Sequence, residues 1–292
     1  MWKSTAAQLF RSATRLKNNN QKFALRRHIS SQCEGLKVEN RDNVLWVKFD
    51  RPAKFNAFTR EMYIAMTSIF NEANNDKTVR AVVLTGSGEY YSSGNDLTNF
   101  LKAMQDEQGP KAGLTKSKEI LLKFVDSLID LDKLLIAAVN GPAVGIPVTT
   151  LPLCDHVIAS DKATFQSPFT ALGQCPEACS SFTFPRLMGP SRATELLLLN
   201  MSWTAEKAKS YGLVSEVIEH SVFYTYLEKL LKGIVQSTYP VSMMESKKLI
   251  KDLALKEKLR QVNKHECDII LERWLSDECN DAVQKFFNRS KK

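Results

Sequence analysis

Histidine is scarce in this sequence, with four residues in 292, at positions 28, 156, 220 and 265. None belongs to a recognisable motif with a catalytic cysteine or a second ligand, which counts against metal chemistry and against a cysteine–histidine nucleophile. The six cysteines, Cys33, Cys154, Cys175, Cys179, Cys267 and Cys279, follow no regular spacing, so free thiols are expected rather than a disulfide framework. No apolar run reaches the ~18 residues that a membrane span requires. Neither GxxxxGK[ST] nor GxGxxG occurs, so phosphate-loop and dinucleotide chemistry lack their glycine cradle. Acidic residues are missing from residues 1–32, where Lys3, Arg11, Arg15, Lys17, Lys22, Arg26 and Arg27 supply most of the formal net charge of +8. The rest of the chain is close to neutral, has no general attraction for polyanions, and is not expected to bind nucleic acid.

The acid-free leader is rich in arginine and serine. If "TAAQLFRSATRL" is helical, Leu9, Phe10 and Leu16 fall near one face and the basic residues largely elsewhere. These are features of a mitochondrial transit peptide, so residues 1–35 are expected to be a leader processed around "RRHISS" and the protein to reside in the mitochondrial matrix. The chain ends in "NRSKK" rather than the peroxisomal "SKL", which disfavours that compartment. The chain as a whole is otherwise ordinary for a globular protein, with 43% hydrophobic and 25% charged residues.

Along the body, strands alternate with helices. "NVLWVKFD" alternates as a strand and stops at "RP". Thr59 caps an expected helix carrying Met62, Met66, Ile69 and Phe70 at helical spacing. "VRAVVLTGSG" and "KLLIAAVNGPAVG" are continuously apolar and close on glycines, as strands buried on both faces do. A polar stretch around "DEQGPKAGLTK" reads as mobile, before a helix bearing Ile120, Leu121, Phe124, Leu128 and Leu131. "CDHVIASDKATFQ" reads as two brief strands about a turn at Ser160-Asp161. "TAEKAKSYG" is a helix stopped by Gly212, a short strand "LVSEVI" follows, and several helices finish the chain. The pattern is α/β, one domain over residues 36–292 with a helical region from about residue 200.

Three places carry candidate chemistry. "YYSSGNDL" and "NGPAVGIPVTTL" each run from a buried strand through a glycine turn toward a helix start. Two such turns at adjacent strand ends can each present one backbone N–H to a single oxygen, the arrangement of an oxyanion hole, although each alone reads first as a plain structural turn. The third place is "LGQCPEACSS", with Glu177 between two cysteines. A zinc site is disfavoured, since Pro176 interrupts any helix and no second ligand pair is near. Glu177 then reads either as a glutamate ahead of a helix or as a partly desolvated base among Phe165, Pro168, Phe169, Leu172 and Phe182, where lost hydration strengthens a carboxylate as a proton acceptor.

"RPAKFNAFT", "AVVLTGSGEYYSSGNDL", "IAAVNGPAVGIPVTTLPLCDHVIASDKATFQSPFTALG" and "LGQCPE" resemble, in that order over residues 37–289, the crotonase (enoyl-CoA hydratase/isomerase) superfamily. "YYSSGNDLTNF" and "RWLSDEC" are similar to its type 2 Δ3-Δ2-enoyl-CoA isomerases. The resemblance implies a crotonase-like spiral of ββα units, with a helical C-terminal region that supports a homotrimer or a dimer of trimers. It implies an acyl-CoA thioester substrate and no cofactor or metal. The motif positions imply backbone donors at Asn95, after Gly94, and at Ile146, after Gly145. Ser93, Gly94, Asn95, Asp96 and Leu97 would line the thioester and CoA pocket, with Lys54, Phe55 and Ala57 near the CoA nucleotide and pantetheine.

The departures from the superfamily imply the reaction. Its hydratases use two glutamates, and the matching positions here hold Thr149 and Phe169. Glu177 matches the catalytic glutamate of the type 2 isomerases. The implied reaction moves the double bond of a 3-enoyl-CoA to the trans-2 position, as in β-oxidation of unsaturated fatty acids. A dienoyl-CoA isomerase, a residual hydratase and a non-catalytic acyl-CoA-binding homologue are the alternatives. Pro147 beside Ile146 is expected only to stiffen its turn. Lys285, Lys291 and Lys292 read as a solvated tail or, less favoured, as CoA phosphate contacts. Some relatives carry a separate acyl-CoA-binding domain ahead of this fold; the residues before this body are expected to be too few for one.

Overall fold

A computed structural model describes residues 33–289; the basic leader, with its expected transit peptide, and Lys291 and Lys292 at the other end lie outside the described residues. The body opens one strand earlier than the alternation in "NVLWVKFD" suggests. β1 (Leu36–Arg41) pairs antiparallel with β2 (Val44–Phe49) across a two-residue turn at Asp42-Asn43. Both turn residues have positive φ, 52° and 63°, the conformation that matches the twist of a tight hairpin. β1 escaped the periodicity because Leu36 is its one fully buried residue.

The capped helix forms as expected as α1 (Arg60–Asn75): the Thr59 hydroxyl accepts the Met62 N–H, and Met62, Met66, Ile69 and Phe70 are buried. Burying each such side chain contributes about 1.5–3 kcal/mol. β3 (Ala81–Gly86) follows, then α2 (Thr98–Met104) and α3 (Pro110–Ile129). The stretch read as mobile is instead the start of α3. Gly109, at φ 90°, turns the chain, Pro110 occupies the first turn where its missing N–H costs nothing, and Leu114 is buried. Leu131 is buried too, but two residues beyond the end of that helix.

β4 (Leu134–Val139), β5 (Ala143–Val144), α4 (Ile146–Thr149), β6 (His156–Ser160) and β7 (Thr164–Gln166) come next. The two brief strands about Ser160-Asp161 do form, yet they join different sheets. The large sheet has the order β1-β2-β3-β4-β6-β9, where β9 is Glu216–Ile218, and is parallel from β2 onward. The small one has the order β5-β7-β8, where β8 is Trp203–Thr204. Between β7 and β8 lie α5 (Ser180–Met188) and α6 (Pro190–Leu197); α7 (Ala205–Ser210) links β8 to β9. The chain then runs through α8 (Phe223–Ser237), α9 (Pro240–Ile250), α10 (Leu253–Trp274) and α11 (Asp277–Arg289).

Both faces of the large sheet are covered, which is why β3 and β4 read as continuous apolar runs rather than alternating ones. One face meets α1 and α3 in the main core; the other meets Phe223, Leu227 and Leu231 of α8 through Val44, Val83, Ile136 and Ile158. The helical C-terminal region does not stand apart from this body. α10 packs on α3 and α5, and α11 on the turn at residues 170–172, so the end of the chain folds back over the loop that carries Glu177. Among the described residues no helix is long and apolar enough to cross a membrane.

Candidate active site

The two glycine turns lie against each other. Ser92 and Ala143 form a parallel bridge, the Val144 N–H donates to the Ser92 carbonyl at 3.0 Å, and the Tyr91 N–H donates to the Pro142 carbonyl at 3.1 Å. Around the first turn, Phe58 N–H donates to the Gly94 carbonyl (2.7 Å) and Asp96 N–H to the Phe58 carbonyl (2.9 Å). The Asn95 N–H between them has no protein acceptor among the described residues. At the second turn Gly145 N–H donates to the Gln166 carbonyl (2.8 Å), and Val148 and Thr149 N–H return to the Gly145 carbonyl. The Ile146 N–H again has no protein acceptor among the described residues, and Pro147 has no N–H to offer. Unused backbone donors at two abutting turns are what an oxyanion site requires.

A cavity opens beside the first turn. Its apolar wall is Tyr63 of α1, Phe100 of α2, Leu114, Ile120 and Leu121 of α3, and Trp274 of α10; Arg60, Asn95, Asn99, Ser117, Gln174 and Glu177 complete it. Asn95 and Glu177 thus share one cavity, and Glu177 is the one carboxylate in its lining. The Glu177 carboxylate accepts no hydrogen bond from the described residues, and what exposure it retains faces this cavity. Burial, and second the charge of Glu266, push its pKa up to about 8. Tyr63 is pushed well above the usual phenol range by burial and then by the Glu177 charge.

Local backbone explains how Glu177 is presented. Its carbonyl accepts the Ser180 N–H (3.1 Å) and hydroxyl (2.6 Å) at the start of α5, while Ala178 and Cys179 take positive φ, 55° and 64°. The flanking cysteines do not face a common ligand. The Cys179 thiol is buried and donates to the Leu259 carbonyl at 3.2 Å, and burial pushes the Cys175 thiol up to about 12.

The other residues named from the sequence surround the first turn without lining this cavity. Ser93 N–H donates to the Phe55 carbonyl (2.8 Å) and its hydroxyl to the Lys54 carbonyl (3.4 Å). Lys54 and Phe55 are exposed, the Phe55 ring 4.7 Å from that of Tyr90. The buried Ala57 lends its carbonyl to Arg51. The Asp96 carboxylate pairs with Arg51 at 3.0 Å and accepts both the N–H and hydroxyl of Thr98, so its work is to fix the turn; Leu97 leads into α2. Gly94, Gly145 and Ile146 form the turns themselves. Thr149 and Phe169, where the hydratase glutamates would stand, are buried, and the Thr149 hydroxyl donates to the Ile146 carbonyl at 3.3 Å. Lys285 is exposed and paired with Asp281.

Sequence reasoning did not assign Tyr63, the α3 wall, Trp274 or Glu266 to the site. Tyr63 and the α3 residues carry only a helix-core signal. Glu266 sits in a helix with many charged residues and becomes distinctive only once α10 lies beneath the Glu177 loop.

Residues 39–292 match the family model described as enoyl-CoA hydratase/isomerase. The chain is 45% identical over 263 residues to Enoyl-CoA delta isomerase 2 of Rattus norvegicus, covering 90% of this chain and 66% of that protein, so it spans just under two thirds of that relative's length. It is 42% identical over 261 residues to "Enoyl-CoA delta isomerase 3, peroxisomal" of Mus musculus, covering 89% of this chain and 80% of that one. The crystal structure of an enoyl-CoA hydratase/isomerase from Pseudoalteromonas atlantica superimposes with a TM-score of 0.78 at 34% identity, covering 88% of this chain and 98% of the other.

Proposed function

This chain belongs to the enoyl-CoA hydratase/isomerase family, the crotonase superfamily, and on that premise we propose that it is a Δ3-Δ2-enoyl-CoA isomerase using Glu177 as its single base. The observation that carries the reading is one unpaired carboxylate in an apolar cavity that also holds Asn95. Glu177 takes a proton from carbon 2 of a 3-enoyl-CoA, next to the thioester carbonyl. The electron pair delocalises into a dienolate whose oxygen meets the Asn95 and Ile146 N–H groups; one such donor is worth about 3–4 kcal/mol in the transition state. Protonated Glu177 then delivers the proton to carbon 4, giving the trans-2-enoyl-CoA, and no proton is gained or lost overall.

The family relatives and the single carboxylate in the cavity lining support isomerisation over hydration. A hydratase needs a second acid/base to activate water, and Thr149 and Phe169 supply none. The same lack argues against a dienoyl-CoA isomerase. The proposal includes acyl-CoA as substrate rather than cofactor, a homotrimer or a dimer of trimers, and, from the acid-free leader, a mitochondrial matrix location.

The test is to supply 3-hexenoyl-CoA and, separately, 2-hexenoyl-CoA, and to resolve the products by chromatography. Conversion of the first to the 2-enoyl thioester with no 3-hydroxyacyl-CoA from the second is the expected result. A hydroxyacyl product would sink the single-base reading, and binding without turnover would replace it with an acyl-CoA-binding role.

A pH dependence follows. Glu177 must be ionised to accept a proton, and it ionises with a pKa of about 8, so kcat/KM is expected to rise with pH and reach half its plateau near there. Activity already maximal at pH 6, measured with a non-sticky substrate, would contradict the raised carboxylate.

A further inference from the structure

Helix α5 starts without a cap of its own. Cys179, at its N-cap, provides no side-chain acceptor, and two consecutive non-glycine residues, Ala178 and Cys179, stand in the left-handed region. The missing acceptor comes from α10. Glu266 is 4% exposed; its Oε2 accepts the Cys179 N–H at 2.7 Å, and its Oε1 accepts the Ser181 N–H at 2.9 Å and hydroxyl at 2.5 Å. An ordinary cap side chain accepts an N–H of the following turn from an extended backbone, and at the left-handed Cys179 it could not also take that residue's own N–H. The acceptor is therefore a carboxylate from another helix, drawn into the core at the cost of its hydration, and it ties the turn that follows Glu177 to α10.

We propose that Glu266 is the positioning residue of the Glu177 base: it clamps the left-handed Ala178-Cys179 turn from below, so that the Glu177 carboxylate projects into the cavity without a protein partner, and it places a negative charge behind that carboxylate. The inference rests on Glu177 being the base. Three hydrogen bonds favour the ionised form of Glu266, which offsets part of its burial and leaves it titrating at about 7. With Glu266 ionised, its charge raises the Glu177 pKa further than burial alone does. Among the described residues, Glu266 is the one charge that shifts Glu177, although Arg60 lines the same cavity. Burial keeps the thiols of Cys175, Cys179 and Cys267 neutral, and Tyr63 is held protonated. On α3, Asp126 accepts from Asn263 and Lys118 is paired with Asp268.

The test compares wild type with Glu266→Gln, Ser181→Ala and Glu177→Gln. Steady-state kinetics are read on a 3-enoyl-CoA. Alongside, 13C NMR of labelled glutamate carboxyls follows the Glu177 titration without needing turnover, the resonance being assigned by its loss in Glu177→Gln. In Glu266→Gln the amide NH2 must face one of the backbone donors, so the turn loses a bond. kcat is expected to fall about 10–100-fold with little change in KM. The Glu177 midpoint moves to lower pH by about one, because the like charge is gone. Ser181→Ala, which leaves both N–H donors in place, weakens the ionised form of Glu266 and shifts the midpoint the same way by less.

A folded Glu266→Gln protein with an unmoved Glu177 midpoint and unchanged kcat would overturn the proposal and reduce Glu266 to a helix cap. Should that variant fail to fold, an unmoved midpoint in Ser181→Ala overturns it equally. Turnover surviving in Glu177→Gln would instead remove the base assignment, an outcome the NMR midpoints keep separate.

Discussion

Glu177→Gln is expected to lower kcat by about 10³–10⁴-fold while leaving acyl-CoA affinity nearly unchanged. The amide matches the carboxylate in size and cannot accept a proton at any accessible pH. The side chain has no hydrogen-bond partner among the described residues, so its replacement breaks no protein hydrogen bond. Stability should move the other way. The folded state holds the Glu177 proton up to about 8, far above the ordinary carboxylate value. Between the unfolded and folded values the native state binds more protons, so stability falls as pH rises through that window. The variant removes that loss and is expected to have a higher Tm than wild type at pH 8, with the difference vanishing near pH 4. Single-turnover kinetics, isothermal titration with a saturated acyl-CoA, and thermal melts at the two pH values measure all three effects. Wild-type turnover in the variant would mean that the cavity uses another base.

Gly94→Ala is expected to cost about 10²–10³-fold in kcat, by separating the turns that carry the two free N–H groups. A Cβ at Gly94 would stand 2.4 Å from the Val144 carbonyl oxygen, which is backbone and cannot swing aside. The residue also sits at φ 90°, where an L side chain is strained by roughly 1–3 kcal/mol. Gly109→Ala separates the two causes, since it has the same φ of 90° with no non-neighbouring atom within 4 Å of the new Cβ and belongs to neither turn. Both variants should lose Tm, but only Gly94→Ala should lose kcat per folded molecule. Equal kcat in the two would show that the abutting turns are not the oxyanion site.

Much of the architecture was legible because the large sheet is covered on both faces. Such strands must be apolar throughout, and "VRAVVLTG" and "KLLIAAV" are; α1 announced itself through Thr59 and four buried residues at helical spacing. The misses have local causes. β1 buries too little to alternate visibly, and the polar start of α3 hides a helix whose signals are Gly109, Pro110 and the buried Leu114. The site divides in the same way. Both glycine turns could be read because each follows a buried strand, but that they touch is a property of the Ser92–Ala143 bridge, between residues 51 apart in the chain.

By itself, then, the sequence determined the α/β class, the positions of both turns and, through motif resemblance, the family, and it pointed to Glu177 as a candidate. These are local or patterned properties, written in residue type and spacing. Only the tertiary structure decided that Asn95 and Glu177 line one cavity, that Trp274 joins its wall and that Glu266 lies under the turn that follows Glu177. Burial and electrostatic coupling depend on which distant segments meet. A glutamate in the middle of a charged helix looks like any solvated carboxylate until the fold strips its water away.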